Sequence, residues 1–408
     1  MTGKPLTIAI LSIHSCPVGL LGARDTGGMN VYVRELAREL GKQGHIVDVF
    51  TRTHDTKCNS LIKLGPNARL IHLKAGEEQD IHKLAIYPYI PDFCCNVENF
   101  RKHNQLHYDL LFSHYWLSGL AGKQLQNWWD VPHITMFHTL GAVKNTIGIG
   151  EDEPELRIEA ERDVAQDSHH LIAATRKEKN ELVRYGASSV KVSVIPCGVN
   201  LDLFHPIDKE KARQKLGIGA GKIILFVGRI EPLKGLERLL KAITLLPNGS
   251  PNRLIIIGGD EHSQEEVEKL KSLAQDLGIG DLVTFLGLVE QTELPFFYSA
   301  ADLCVIPSHY ESFSLVALEA LACGTPVVAN NVGDLQSIIR PGETGYVITG
   351  ATPNRLAEKI ALVFTNHTFA PLAIRNSVIR FGWSNIASAL TQKFQEVVTK
   401  YSAKNTHL

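Results

Sequence analysis

Short apolar runs alternate with amphipathic segments along nearly the whole chain, and the alternation breaks only once. Before the break come Thr7–Ile13, Ile46–Thr51, Leu70–Leu73, Leu110–Ser113, His133–Phe137, Leu171–Ala174 and Lys191–Ile195. After it come Lys222–Val227, Leu254–Ile257, Val283–Leu286, Leu303–Ile306 and Pro326–Ala329. Several of these runs lack polar alternation, as strands buried on both faces of a parallel sheet do. The segments between them have helical spacing: Val31–Gln43 is apolar at 31, 33, 36, 37 and 40 and stops at Gly44. Parallel strands joined by helices require crossover connections, so the pattern predicts an α/β, doubly wound sheet.

The break lies at Val199-Asn-Leu-Asp-Leu-Phe-His-Pro206, followed by a charged helix over Lys209–Leu216 and a fresh strand at Lys222. A chain of 408 residues is also too long for one core. The reading is therefore two Rossmann-like domains, 1–200 and 207–380, joined near 198–207 and presenting the carboxyl ends of their strands to a shared cleft. A capped helix is expected over Ile386–Tyr401, with a frayed tail at Ser402–Leu408.

Bulk properties remove several partners. With 42 basic and 43 acidic side chains the formal charge is −1, so nothing calls for nucleic acid or an anionic membrane. No apolar run approaches the length of a membrane span, and the first 25 residues lack a signal-peptide layout. Seven cysteines at irregular spacing read as reduced thiols in a cytoplasmic protein, and Cys94-Cys95 has no second pair at zinc-ligand spacing. The 17 histidines form no motif of metal-ligand spacing, so no metal site is expected. Cys304 and Cys323 read as packing residues.

Chemistry concentrates in Glu311-Ser-Phe-Ser-Leu-Val-Ala-Leu-Glu319. The pattern is a buried strand, a loop with Glu311, and a helix opening near Ser314 with Glu319 on its third turn. At about 1.5 Å rise per residue the two carboxylates would stand roughly 10–12 Å apart. Between them lie helix N-terminal amides, which attract anions. Two hydroxyl-binding acids around a phosphate-binding helix end suit a sugar nucleotide. Many helices carry exposed acids, but the Ser314–Ala322 segment is otherwise apolar or small, so Glu319 needs an interior partner.

Three further segments fall at strand ends. Ala23-Arg-Asp-Thr-Gly27-Gly28-Met-Asn30 allows close backbone approach to an anion, though it is not the G-x-G-x-x-G fingerprint and also fits a plain turn. Gly228-Arg229-Ile-Glu-Pro-Leu-Lys234-Gly235 places two cations at the cleft edge, matched to a diphosphate, where the bland alternative is a solvated basic loop. His138 ends a strand on the cleft side and is equally readable as a satisfied core histidine.

Together, Gly27-Gly28, Gly228-Arg229 with Lys234, the Glu311/Glu319 pair and the Gly324-Thr-Pro turn resemble the retaining family 4 glycosyltransferases of GT-B architecture, over nearly the whole chain. Asp25-Thr-Gly-Gly-Met-Asn-Val-Tyr-Val33, His114-Tyr-Trp-Leu-Ser-Gly119 and His138-Thr-Leu-Gly-Ala-Val-Lys144 are similar to the inositol-phosphate and sucrose-phosphate branches. The resemblance implies Glu319 on the ribose diol, Glu311 on the donor sugar, and Arg229 and Lys234 on the diphosphate. Backbone amides near Gly28 and Leu315-Val316 would assist, with Gly27, Asn30, Phe313 and Ser314 also in the donor site. It places His138 beside the anomeric carbon and an acceptor phosphate on Lys83, Tyr115, Thr139 and Arg157. Many relatives have Gly at the position of Ser314. The family's C-terminal helix crosses back onto the first domain, which would assign 384–408 to that side.

The expected activity is retaining hexosyl transfer from a nucleotide-diphosphate sugar, UDP-glucose or UDP-N-acetylglucosamine, to a small phosphorylated acceptor such as fructose 6-phosphate or an inositol phosphate. An unphosphorylated polyol, glycan or lipid acceptor, or a nucleotide-sugar epimerase or hydrolase, is the alternative. A sugar-binding module and an NAD-dependent dehydrogenase fit less well, for want of an export signal and a dinucleotide fingerprint. No cofactor is expected to be required, Mg2+ being possible but not essential, and the protein is expected to be a monomer or homodimer.

Overall fold

A computed structural model describes residues 4–19, 27–55, 58–79, 81–247, 253–350, 352–365 and 369–405. Residues 23–26 of the glycine loop and the last three residues of the chain lie outside these.

The first sheet contains β1 (Thr7–Leu11), β2 (Ile46–Arg52), β3 (Leu61–Gly65), β4 (Ala68–Leu73), β5 (Leu110–His114), β6 (His133–Met136), β7 (His170–Ala173) and β8 (Val192–Val194). Its order is β3-β4-β2-β1-β5-β6-β7-β8. All neighbours are parallel except β3 and β4. The second sheet contains β9 (Ile223–Val227), β10 (Arg253–Ile257), β11 (Val283–Gly287), β12 (Leu303–Ile306), β13 (Val327–Asn330) and β14 (Gly345–Ile348), ordered β11-β10-β9-β12-β13-β14 and parallel throughout. In each sheet the order reverses beside the first strand, at β1/β5 and β9/β12. That is where doubly wound sheets open a crevice for ligands.

Two strands escaped the sequence reading, each for a local reason. β3 is a half-exposed edge strand returning antiparallel through Pro66-Asn67, so it lacks a buried apolar run. β14 opens on Gly345, which reads as loop. Its φ of +147° and the 1.8 Å that a Cβ there would leave to the Val327 carbonyl oxygen demand glycine.

The chain crosses between the sheets twice, and the two crossings are stitched together. Val199 N–H donates to the Phe381 carbonyl at 2.9 Å, and Trp383 N–H donates back to Val199 at 3.3 Å. Arg375 clamps the outward crossing by donating to the carbonyls of Leu201 and Phe204.

After the return crossing, the helix Trp383–Asn405 lies on the first sheet's side. Gln43 donates to Ser388 at 3.2 Å, Tyr401 donates to Asp130 at 2.7 Å, and the fully buried Phe394 ring meets Phe112 edge-on at 5.2 Å. Among the described residues no helix is long and apolar enough to cross a membrane. Since Phe394 is the helix's anchor in the core, Phe394→Ala should cost about 3–5 kcal/mol in equilibrium denaturation. A cost below about 1 kcal/mol would mean that the helix contributes little to the first domain's core.

Candidate active site

The crevices of the two sheets face one another across a cavity of about 570 Å³. Its wall includes all of the site residues expected from sequence, from Gly27 through Glu319.

On the second-sheet side, β12 ends at Ile306 and the chain turns through Glu311 into the helix Leu315–Ala322. Ser314 caps that helix at φ +88°, a left-handed backbone that a side chain resists. Glycine would relax there. Glu319 is the fifth helical residue, in the second turn rather than the third as expected. It is buried, and the Tyr298 hydroxyl donates to it at 2.9 Å. Glu311 accepts from Lys234 Nζ and Ser308 Oγ, both at 2.7 Å. Lys234 is aimed by the turn Pro232–Lys234 and by Gly235, which has φ +69° and could not carry a Cβ without meeting the Pro307 carbonyl oxygen at 2.3 Å. Arg229, half exposed at the cavity wall, pairs with Glu231 at 3.0 Å.

Opposite, Gly28 begins the first long helix, and a Cβ there would stand 3.5 Å from the Leu315 side chain. Asn30 shapes this loop: its amide donates to the Cys16 carbonyl at 2.6 Å, and its oxygen accepts from Gly27 N–H at 2.9 Å and Ser15 Oγ at 2.8 Å. Phe313 is buried against Phe381.

At the carboxyl end of β6, His138 sits at φ +63° with Nε2 2.9 Å from His114 Nδ1. Burial pushes His138 down to about 3 and holds His114 well below the usual imidazole range, so both rings are neutral at physiological pH. His138 is thus a hydrogen-bonding group and not a proton donor of the imidazolium kind. Beside it, His14 Nδ1 is buried without a hydrogen-bond partner.

The first-sheet end of the cavity is organised by one carboxylate. Arg157 Nη1 lies 2.8 Å and Lys83 Nζ 3.6 Å from the same Oε1 of Glu153, which Lys144 also contacts. The Arg157 guanidinium is buried, with Nε donating to Glu161 at 2.7 Å and Nη2 to Thr139 Oγ1 at 3.0 Å. Its plane lies over Tyr115 at 4.8 Å. Tyr115 and Thr139 therefore reach the cluster through Arg157.

Two contacts close the cleft. Arg34 from the first long helix donates to Gln291 beyond β11, and the Leu140 amide faces the Tyr310 hydroxyl. Sequence reasoning missed Arg34, Gln291, Tyr298, Tyr310, Lys144 and Glu153, because only the fold brings them into the cleft. It also missed Cys16, His54 and His72. These lie on three separate segments yet have ligand atoms within 4.8 Å of one another.

The comparisons agree with this geometry. A model described as "Glycosyl transferases group 1" matches residues 208–377, and one described as "Glycosyltransferase Family 4" matches residues 26–203. A D-inositol 3-phosphate glycosyltransferase of Catenulispora acidiphila is 40% identical over 98% of this chain and 96% of its own length. The chain belongs to glycosyltransferase family 4. A homologue of the same name from Mycobacteroides abscessus is 37% identical over 98% of this chain and 91% of its own length. Among solved structures, the sucrose-phosphate synthase of Thermosynechococcus elongatus superposes with a TM-score of 0.89 at 32% identity, covering 97% of this chain and all of that one. Anabaena HepE, in complex with UDP and glucose, superposes at 0.75 with 19% identity over 96% of this chain, a likeness of fold. The protein is a GT-B glycosyltransferase, with two parallel-sheet domains and an enzyme's cleft between them.

Burial pushes the Glu319 carboxyl from its ordinary 4.5 up to about 7. Between those values the folded state holds a proton that the unfolded state has released, so stability falls as pH rises through that window. Relative to Glu319→Gln, the wild type should lose about 2–3 kcal/mol between pH 5 and 8, measured by urea denaturation. Parallel pH profiles would refute the buried, proton-holding carboxyl.

Proposed function

We propose that the protein transfers a hexosyl group, with retention, from a UDP-sugar to a hydroxyl of a small phosphorylated polyol or sugar, an inositol phosphate before a hexose phosphate. The observation that carries this is the convergence of Lys83, Lys144 and Arg157 on one oxygen of Glu153, on the first-sheet wall of the cleft, while Arg229 and Lys234 stand on the second-sheet wall. Three cations around one anionic oxygen is the coordination that a phosphate oxygen takes. The names of the relatives, which act on inositol 3-phosphate, favour the same acceptor class.

In this reading Glu319 holds the ribose diol, Glu311 the donor sugar hydroxyls, and Arg229 and Lys234 the diphosphate, with the amides of Leu315 and Val316 at the helix start. The bond from the anomeric carbon to the diphosphate oxygen breaks as the acceptor oxygen bonds to the same face. The acceptor's proton passes to the departing phosphate oxygen. The neutral His138 contacts the sugar at the reacting centre. The protein supplies position and charge neutralisation where charge grows, and closure of the cleft through Arg34–Gln291 and Tyr310–Leu140 keeps water from the donor. The side-chain cations carry the diphosphate charge, so Mg2+ is not essential. A cytoplasmic location belongs to the same reading.

The test is UDP release from a panel of UDP-sugars, each offered inositol 1- or 3-phosphate, fructose 6-phosphate and their dephosphorylated forms. Release that depends on inositol phosphate is expected. Dependence on fructose 6-phosphate would move the acceptor to the class named for the sucrose-phosphate synthase, and release with dephosphorylated acceptors alone would discard the phosphate pocket. Lys234→Ala should lower turnover roughly 10²-fold while costing about 1 kcal/mol or less of stability, because its ion pair is a single partly buried contact. A stable, fully active variant would remove Lys234 from the mechanism.

A further inference from the structure

Beside the glycine loop, and outside the cleft, three segments bring sulfur and imidazole together. Cys16 follows β1, His54 follows β2 and His72 lies on β4, with one ligand atom from each within 4.8 Å of the others. Cys16 Sγ is 3.3 Å from His72 Nε2, and Cys58 Sγ is 3.6 Å from His54 Nε2. Tetrahedral zinc, with sulfur at about 2.3 Å and nitrogen at about 2.0–2.1 Å, sets neighbouring sulfur and nitrogen ligands about 3.6 Å apart. A thiol–imidazole hydrogen bond explains either distance alone, but not the convergence of the set.

The surroundings fit a metal as well. His72 Nδ1 lies 2.8 Å from the Asn59 carbonyl, which accepts its proton and leaves the Nε2 lone pair facing Cys16. Protein zinc sites orient their histidines in this way. The Val18 amide hydrogen-bonds the Cys16 side chain.

We propose that Cys16, His54 and His72 hold a structural zinc ion that anchors the loop after β1, with Cys58, already in contact with His54, turning in as the fourth ligand. Two sulfurs and two imidazoles fill a tetrahedron and leave no open position, the donor set of structural rather than catalytic zinc. The site's reach is short and traceable. The Cys16 carbonyl accepts from Asn30, and Asn30 accepts from Gly27, so a metal on Cys16 fixes the start of the helix Gly28–Lys42.

The test uses the full chain, stripped with chelator and titrated with Zn2+ and with Co2+ alone. One equivalent of each should bind, the Co2+ form showing thiolate charge-transfer and the intense visible bands of tetrahedral coordination. Zn2+ should raise the thermal midpoint of the stripped protein. Cys16→Ser should weaken metal binding at least about 10²-fold, and so should His54→Gln, a half-buried position chosen because it threatens folding less. Substoichiometric binding by the folded wild type would overturn the proposal, as would binding that survives in both variants.

Discussion

Cations that line a half-closed cleft cannot stand unpaired, and the carboxylates that hold them while it is empty are the constraint on which the site depends. Arg157 is buried between Glu153 and Glu161, and Lys234 rests on Glu311. A buried charge without a partner costs several kcal/mol, so the Arg157 guanidinium depends on its two acids, and Glu311 keeps the partly buried Lys234 ammonium ordered. Phosphate oxygens can then enter an arrangement already built for an anion, with less side-chain ordering left to accomplish on binding. The same acids set a threshold, because a ligand with too little negative charge gains nothing by displacing them.

A second constraint is backbone strain, and it collects at the same place. Six non-glycine residues among those described have positive φ, and three of them line the cleft, Tyr115 and His138 just beyond a strand's carboxyl end and Ser314 at the start of the helix Leu315–Ala322. Each such conformation costs of order 1–3 kcal/mol and persists only where its surroundings enforce it. For His138 the enforcing contacts are His114 and the edge of Tyr32, which aim a neutral ring into the cavity.

The architecture was legible because parallel strands buried on both faces leave long, uninterrupted apolar runs. β3 and β14 were not, since an edge strand and a strand opened by glycine leave no such run. Glu319 was legible as an acid on an apolar helix, and the structure supplies the interior partner it needed in Tyr298. Glu153 and Lys144 were invisible, because an acid and a lysine in a polar loop look like solvated surface until the fold turns them onto Arg157. Cys16, His54 and His72 were missed for a related reason: parallel neighbours β1, β2 and β4 bring together positions tens of residues apart, where metal-ligand spacing rules have no purchase.

The central claim is that the two cation groups serve different phosphates. Isothermal titration of UDP and of inositol phosphate into the wild type, Lys234→Ala and Lys83→Ala tests it most directly. Lys234→Ala should weaken UDP binding about tenfold and leave inositol phosphate nearly unchanged, and Lys83→Ala should do the reverse, each loss reflecting one charged contact. If Lys83→Ala weakened UDP as much as Lys234→Ala does, the cations would form a single anion site and the division of the cleft would be wrong.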